Sequence, residues 1–178
     1  ANGTGEIHIR APGAVWTSFD GYFGEIRVNA FVYVRGDKLD IRLDVPSAKP
    51  EDVRALWGDW PIKEPVAAHI EASGELPILQ TSGRFEIGDA RVTANGPLRL
   101  SGDVGATHDT TMRGFDPRTL TADAPETSVD ADAAVNIWNK GGQVVVDFNG
   151  TTEPTMMLGQ EIPAIDPTGT AHNKSLSR

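Results

Sequence analysis

Strict alternation of apolar and polar residues constrains this chain more than any motif in it. From Ile26, one face of IRVNAFVYV carries Ile26, Val28, Ala30, Val32 and Val34, while the other carries Arg27, Asn29, Phe31, Tyr33 and Arg35. Gly36-Asp37 then reads as a hairpin turn. The next segment sets Leu39, Ile41, Leu43 and Val45 against Asp40, Arg42 and Asp44. Val66, Ala68, Ile70 and Ala72 oppose Ala67, His69, Glu71 and Ser73. Shorter pieces follow at Phe85/Ile87, Val92/Ala94 and Leu98/Leu100. Val129, Ala131, Ala133, Val135 and Ile137 alternate with Asp130, Asp132, Ala134 and Asn136, and Gly141-Gly142 turns into Val144, Val146 and Phe148. Period two with one apolar and one polar face is the pattern of an antiparallel sheet wetted on one side. Its register is firmly specified, because a slip of one residue would carry Asp40, Arg42 and Asp44 onto the apolar side. The expected fold is mainly β: a curled antiparallel sheet of about eight to ten strands, meander-like, with no helix long enough for parallel crossovers.

Composition narrows the partners. A formal net charge of -9, with the basic residues scattered singly, excludes nucleic acid, which demands clustered Lys and Arg. No apolar run is long enough to span a bilayer as a helix. Cysteine is absent, which removes disulfides, thiolate metal sites and a cysteine nucleophile, and fits an oxidising envelope space. Nothing resembling a targeting leader opens the sequence, and that silence does not indicate the cytosol.

Two short helical interludes interrupt the strands. In KPEDVRALW, Pro50 suits a first helical position, Glu51 and Asp52 complement the positive end of the dipole, and Val53, Leu56 and Trp57 form one apolar stripe. Gly58 is the expected C-cap. In FDPRTL, Asp116 is the expected N-cap, Pro117 the first helical residue, and Leu120 the apolar anchor. Each is expected to plug one end of the apolar sheet face. Superposing Pro50 on Pro117 brings Val66 roughly over Val129, an offset of about 63 to 67 residues. The chain therefore reads as one β-rich domain over residues 1–155, made of two imperfect repeats (about 26–95 and 96–155), with an irregular C-terminal tail over 156–178.

A sheet with one apolar face must be covered by a second sheet, by helices or by a ligand. Two such short helices cannot cover about eight strands. Either the sheet closes into a sandwich or barrel, or it leaves an open groove that accepts acyl chains. The expected lining is Val28, Ala30, Val32, Leu39, Ile41, Leu43, Ala68, Ile70, Ala72, Val92, Ala94, Val129, Ala131, Ala133, Val135, Val144 and Val146. Its many alanines make room along a floor. In the closed alternative they accommodate Trp16, Phe19, Phe23 or Trp138.

The cadence of GDKLDIRLDVPSAKPEDVRALWGDWPIKEPVAAHIEASGELPILQTSGRFEIGDARV, followed by GPLRLSGDV and MRGFDPRTL, resembles the repetitive β-rich periplasmic part of AsmA-like and TamB-type proteins. Ala72-Ser73-Gly74-Glu75-Leu76-Pro77, the Gly-Phe-Asp-Pro of residues 114–117 and the strand from Leu98 to Gly102 carry the likeness, which covers about residues 26–150. The resemblance implies a module in the periplasm of a Gram-negative bacterium, tethered to the inner membrane by a segment absent from this chain. It implies an apolar β-groove sheltering phospholipid or other acyl chains, in inter-membrane lipid transport or outer-membrane biogenesis. Neighbouring repeats of a longer chain, or an outer-membrane protein, are the partners it implies.

Candidates for chemistry are few. His69 and Glu71 share the polar face, but no third ligand is recognisable by spacing. His108 and Asp109 point to opposite faces if extended, which argues against a dyad. Asp123, Glu126, Asp130 and Asp132 form an acidic cluster without the spacing of a calcium loop, and read as a solvated face. The expectation is a protein without enzymatic activity, catalytic residues, metal or cofactor. Phe31 and Tyr33 stand out as aromatics on the wet face, where they mark a surface for a protein partner. Asn2-Gly3-Thr4, Asn149-Gly150-Thr151 and Asn173-Lys174-Ser175 read as turns rather than glycan acceptors.

Overall fold

A computed structural model describes residues 2–10, 13–121, 123–140, 143–157 and 160–172. Strands β1 (Asn2–Arg10), β2 (Ala14–Phe23), β3 (Ile26–Arg35) and β4 (Lys38–Ala48) precede the helix α1 (Pro50–Trp57). Next come β5 (Val66–Glu75), β6 (Ile78–Ile87), β7 (Ala90–Arg99) and β8 (Gly105–Phe115), then a single 3-10 turn at Pro117–Thr119. After it run β9 (Val129–Lys140) and β10 (Gln143–Thr152), a small hairpin of β11 (Thr155–Met157) and β12 (Gln160–Ile162), and β13 (Thr168–His172).

One antiparallel sheet holds eleven strands in the order β1 to β10 and then β13. It is an uninterrupted meander from β1 to β10, and it does not close: β1 and β13 are its two edges. Among the described residues every strand belongs to this one sheet except the short β11–β12 hairpin, and the apolar face stays largely half-buried, so no second sheet lies across it. The closed sandwich or barrel is therefore not the architecture. The accessible surface agrees: at 11757 Å² it exceeds the roughly 8,400 Å² of a compact 19.1 kDa monomer by about 40%.

Gly36 supplies the left-handed turn between β3 and β4, at φ +57, where the sequence places a hairpin. Pro50 opens α1 and Glu51 and Asp52 occupy its first turn. The helix ends at Gly58, whose N–H donates to the Arg54 carbonyl at 2.9 Å. Docking, not length, holds these two turns. Val53 is 3% exposed and packs with Ile26 and Ala48, flanked by Val28, Val45, Leu56 and Trp60. The side chain of Trp57 lies outside the described residues.

Several expectations need correcting. The second helix is only a 3-10 turn. Asp116 caps it as expected, its carboxylate accepting from the Arg118 N–H at 2.9 Å. Leu120, however, is 45% exposed and is not a buried anchor, while Thr119 is buried. The Thr119 carbonyl instead accepts from Lys63 N–H at 2.9 Å, tying the turn to the segment after α1. Residues 168–172 are an edge strand rather than irregular tail; residues 173–178, with Asn173, lie outside the described set, as does Gly141-Gly142. Asn2-Gly3 and Asn149-Gly150 sit inside β1 and β10, so neither is a turn. At Gly150 a Cβ would approach the Asp132 carbonyl to 2.7 Å, a close passage of neighbouring strands that explains glycine in mid-strand.

Candidate functional site

Pairing registers place all seventeen expected lining residues on one face. Val28 lies opposite Gly21; Ala30 and Val32 lie opposite Leu43 and Ile41, and Ile41 and Leu43 opposite Ala72 and Ile70. The face continues through Ala68, Phe85 and Val92, then Met112 and Ala131, and reaches Val135, Ile137, Val146 and Phe148. Leu39 joins it from β4, Ala94 from β7, and Val129, Ala133 and Val144 from β9 and β10. Ala72 is buried and Val144 exposed; the other fifteen are half-buried. A sealed core would hide such residues and a bare surface would expose them. Half-burial is what a curled sheet with an open face produces.

Small residues run along this face. Gly83, Ala94, Thr110, Ala133 and Gly150 are register partners on five successive strands, β6 to β10. At about 4.8 Å per strand the row extends about 19 Å across the strands. On one side it is flanked by Phe85, Val92, Met112, Ala131 and Thr152, on the other by Thr81, Gly96, His108, Val135 and Phe148. Near β2 to β6, α1 covers the face and leaves an apolar cavity of about 420 Å³, lined by Phe19, Phe23, Leu43, Trp60, Phe85 and their neighbours. The plug expected at one end of the sheet is thus α1 alone.

The opposite face is polar and paired. Asp44 faces His69, Arg42 faces Glu71, and Arg84 bonds Glu86 at 2.6 Å. Arg42 lies 3.6 Å from Asp40 and 3.8 Å from Glu71. The Arg84 guanidinium holds the Glu86 carboxyl below its ordinary pKa. The acidic cluster is dispersed by partners. Asp132 takes both oxygens to Arg113 at 2.8 and 3.0 Å, Asp130 accepts from Gly114 N–H at 2.6 Å, and Glu126 is 3.3 Å from Arg118. Among the described residues no three His, Asp or Glu side chains gather as a metal site.

Phe31 and Tyr33 fall on this polar face as the alternation predicts, but both are half-buried rather than prominent. They line a shallow hollow of about 730 Å³ together with Asn29, Asp40, Arg42 and Asp44. Arg42 lies over the Phe31 ring at 5.8 Å. Trp16 and Trp138 also belong here, not to an inner core. Trp16 stacks on His8 at 5.1 Å, and Trp138 pairs with Gly105, where a Cβ would come within 2.2 Å of its ring.

Phe19 and Phe23, expected as bulky partners only in a closed core, line the α1 cavity of the open sheet; aromatics on both faces of β2 hide its alternation. His108 points to the apolar face; the residues that show its phase (Ala106, Thr110, Met112) are individually weak signals.

No family model, curated protein or solved structure matches the chain. The likeness to AsmA-like and TamB-type proteins therefore rests on sequence cadence alone.

Proposed function

We propose that this protein is a non-enzymatic cell-envelope module whose open β-face shelters lipid acyl chains, in inter-membrane lipid transport or outer-membrane assembly. One observation carries the reading: a continuous apolar face, half-buried from β3 to β10, which among the described residues no second sheet covers and α1 covers only near β2 to β6. Apolar surface removed from water returns about 25 cal/mol per Å², so a tail laid along the small-residue row gains several kcal/mol. The row is flanked by bulkier side chains over most of its length, with gaps at Gly96 and Ala131, which favours a chain over a flat ligand. Placement in the periplasm of a Gram-negative bacterium, with a phospholipid as cargo, follows from the family resemblance and belongs to the same proposal.

Titration of the protein with a fluorescent fatty acid tests it. Saturable binding is expected, with loss of binding in Ala131→Asp and Ala68→Asp variants that keep their β-sheet circular dichroism. Absence of saturable binding by the unaltered protein overturns the reading.

The hollow around Phe31 and Tyr33 supports a second reading, an interaction module that meets a protein partner through its polar face. In that case Phe31→Ala and Tyr33→Ala abolish partner binding and leave lipid binding unchanged.

A further inference from the structure

His108 is the only ionisable side chain among the described residues of the sheet's apolar face from β2 to β10. Polar groups that are few and fixed in an apolar lining orient a ligand. This one is fixed. Its Nε2 lies 2.6 Å from the Thr81 hydroxyl, on a strand two places away. The intervening residue is Gly96, and only a residue without a side chain leaves the imidazole a path across β7.

Proton counting sets the tautomer. The Thr81 hydroxyl donates its single proton to the Gly96 carbonyl at 2.7 Å. Pairing of β7 with β8 passes from Asn95↔Asp109 to Leu98↔Ala106, skipping Gly96 and Pro97, which has no N–H. With its proton committed, the Thr81 oxygen accepts from Nε2–H of His108. Nδ1 is then the ring's remaining polar atom, and it has no hydrogen-bond partner among the described residues. A neutral imidazole offers a lone pair there and a protonated one offers N–H. Either complements an acidic oxygen, because the acid and the ring together share one proton.

We infer that the Thr81–His108 pair anchors the acidic head of a single-chain amphiphile whose tail lies along the Gly83–Gly150 row beside it. This rests on the proposed groove and adds the head group to it. Pro97 and Gly96 present the carbonyl, Thr81 orients the ring, and the ring meets the ligand.

Displacement of the neutral dye Nile red from the full chain tests the anchor, with lauric acid, dodecyl phosphate and methyl laurate as competitors. Lauric acid or dodecyl phosphate is expected to compete about tenfold better than the ester, as a charge-assisted hydrogen bond requires. Whichever acid does so identifies the head as carboxyl or phosphate. His108→Leu is expected to erase that preference while methyl laurate competes within about twofold of its original strength. Thr81→Val, which keeps the ring but frees it, is expected to reduce the preference in part. Equal competition by acids and ester, unchanged in His108→Leu, overturns the anchor and leaves the groove standing. Failure of all three competitors overturns both.

Discussion

Asp44 and His69 face each other across β4 and β5 with 2.5 Å between Oδ1 and Nδ1. That hydrogen bond, more than the added field of Glu71, raises the His69 pKa above its ordinary value. A raised pKa means that the folded state binds the proton more tightly than the unfolded chain does. The stabilisation is complete below about pH 6.5 and is lost as pH rises through the folded value. Both side chains are 47% exposed, so solvent screens the pair and its contribution stays at or below about 1 kcal/mol. His69→Gln is expected to lower the melting temperature at pH 5.5 and to leave it unchanged at pH 8.5. Equal effects at both pH values would show that the pair is not protonation-linked.

Much of the sheet is legible in the amino-acid sequence, and the reasons differ from strand to strand. β3, β4, β5, β9 and β10 are visible because each sets large aliphatic residues against charged or amide ones. β1 and β2 are hidden by glycines and by Trp16 and Phe19 on opposite faces. β7 reads as two fragments because Asn95-Gly96-Pro97 carries turn chemistry; the structure runs one strand through it, since the Gly96 carbonyl finds a hydroxyl partner in place of the lost ladder. β8 presents Ala106, His108, Thr110 and Met112 toward the groove, too little hydrophobic contrast for a period to show. β13 has no large apolar residue at all. The groove floor was legible from its alanines, whereas the imidazole in it required the cross-strand register.

The Gly96 passage gives a sharp mutational expectation. A Cβ at this position would lie 1.9 Å from the Thr107 carbonyl oxygen and 3.0 Å from the His108 Cα, both backbone atoms of β8. Neither moves without separating the strands. Gly96→Ala is expected to cost at least about 3 kcal/mol in urea denaturation, well beyond the loss from an exposed mid-strand glycine change. A cost under about 1 kcal/mol would mean that β7 and β8 are not so closely apposed.

Val53 tests whether α1 is held by its docking. Two turns of helix have little stability alone, so the contact of Val53 with Ile26 and Ala48 must supply it. Val53→Ala removes two methyl-sized groups and is expected to cost about 2 kcal/mol. Because α1 caps one stretch of an otherwise continuous sheet, the loss is expected to show first in amide exchange of residues 50–57. Protection of β8 to β10 should change much less. Uniform loss of protection across the sheet would make α1 part of a single cooperative unit instead.

The open architecture has a thermodynamic signature that needs no ligand. Relative to an extended chain of this mass, which exposes about 27,700 Å², folding to 11757 Å² buries about 16,000 Å². A compact monomer would bury about 19,300 Å². Denaturant sensitivity scales with the area exposed on unfolding, so the urea m-value is expected about one sixth below that of a compact protein of equal length. Part of the deficit lies on the apolar face, where Ile137, Val144 and Phe148 are each 38–39% exposed. Saturation with an acyl ligand covers that surface without adding to the area the polypeptide itself exposes on unfolding. Ligand is therefore expected to raise the midpoint of the transition through mass action while leaving the slope nearly constant. A slope already at the compact-protein value in the free state would mean that the apolar face is covered in solution.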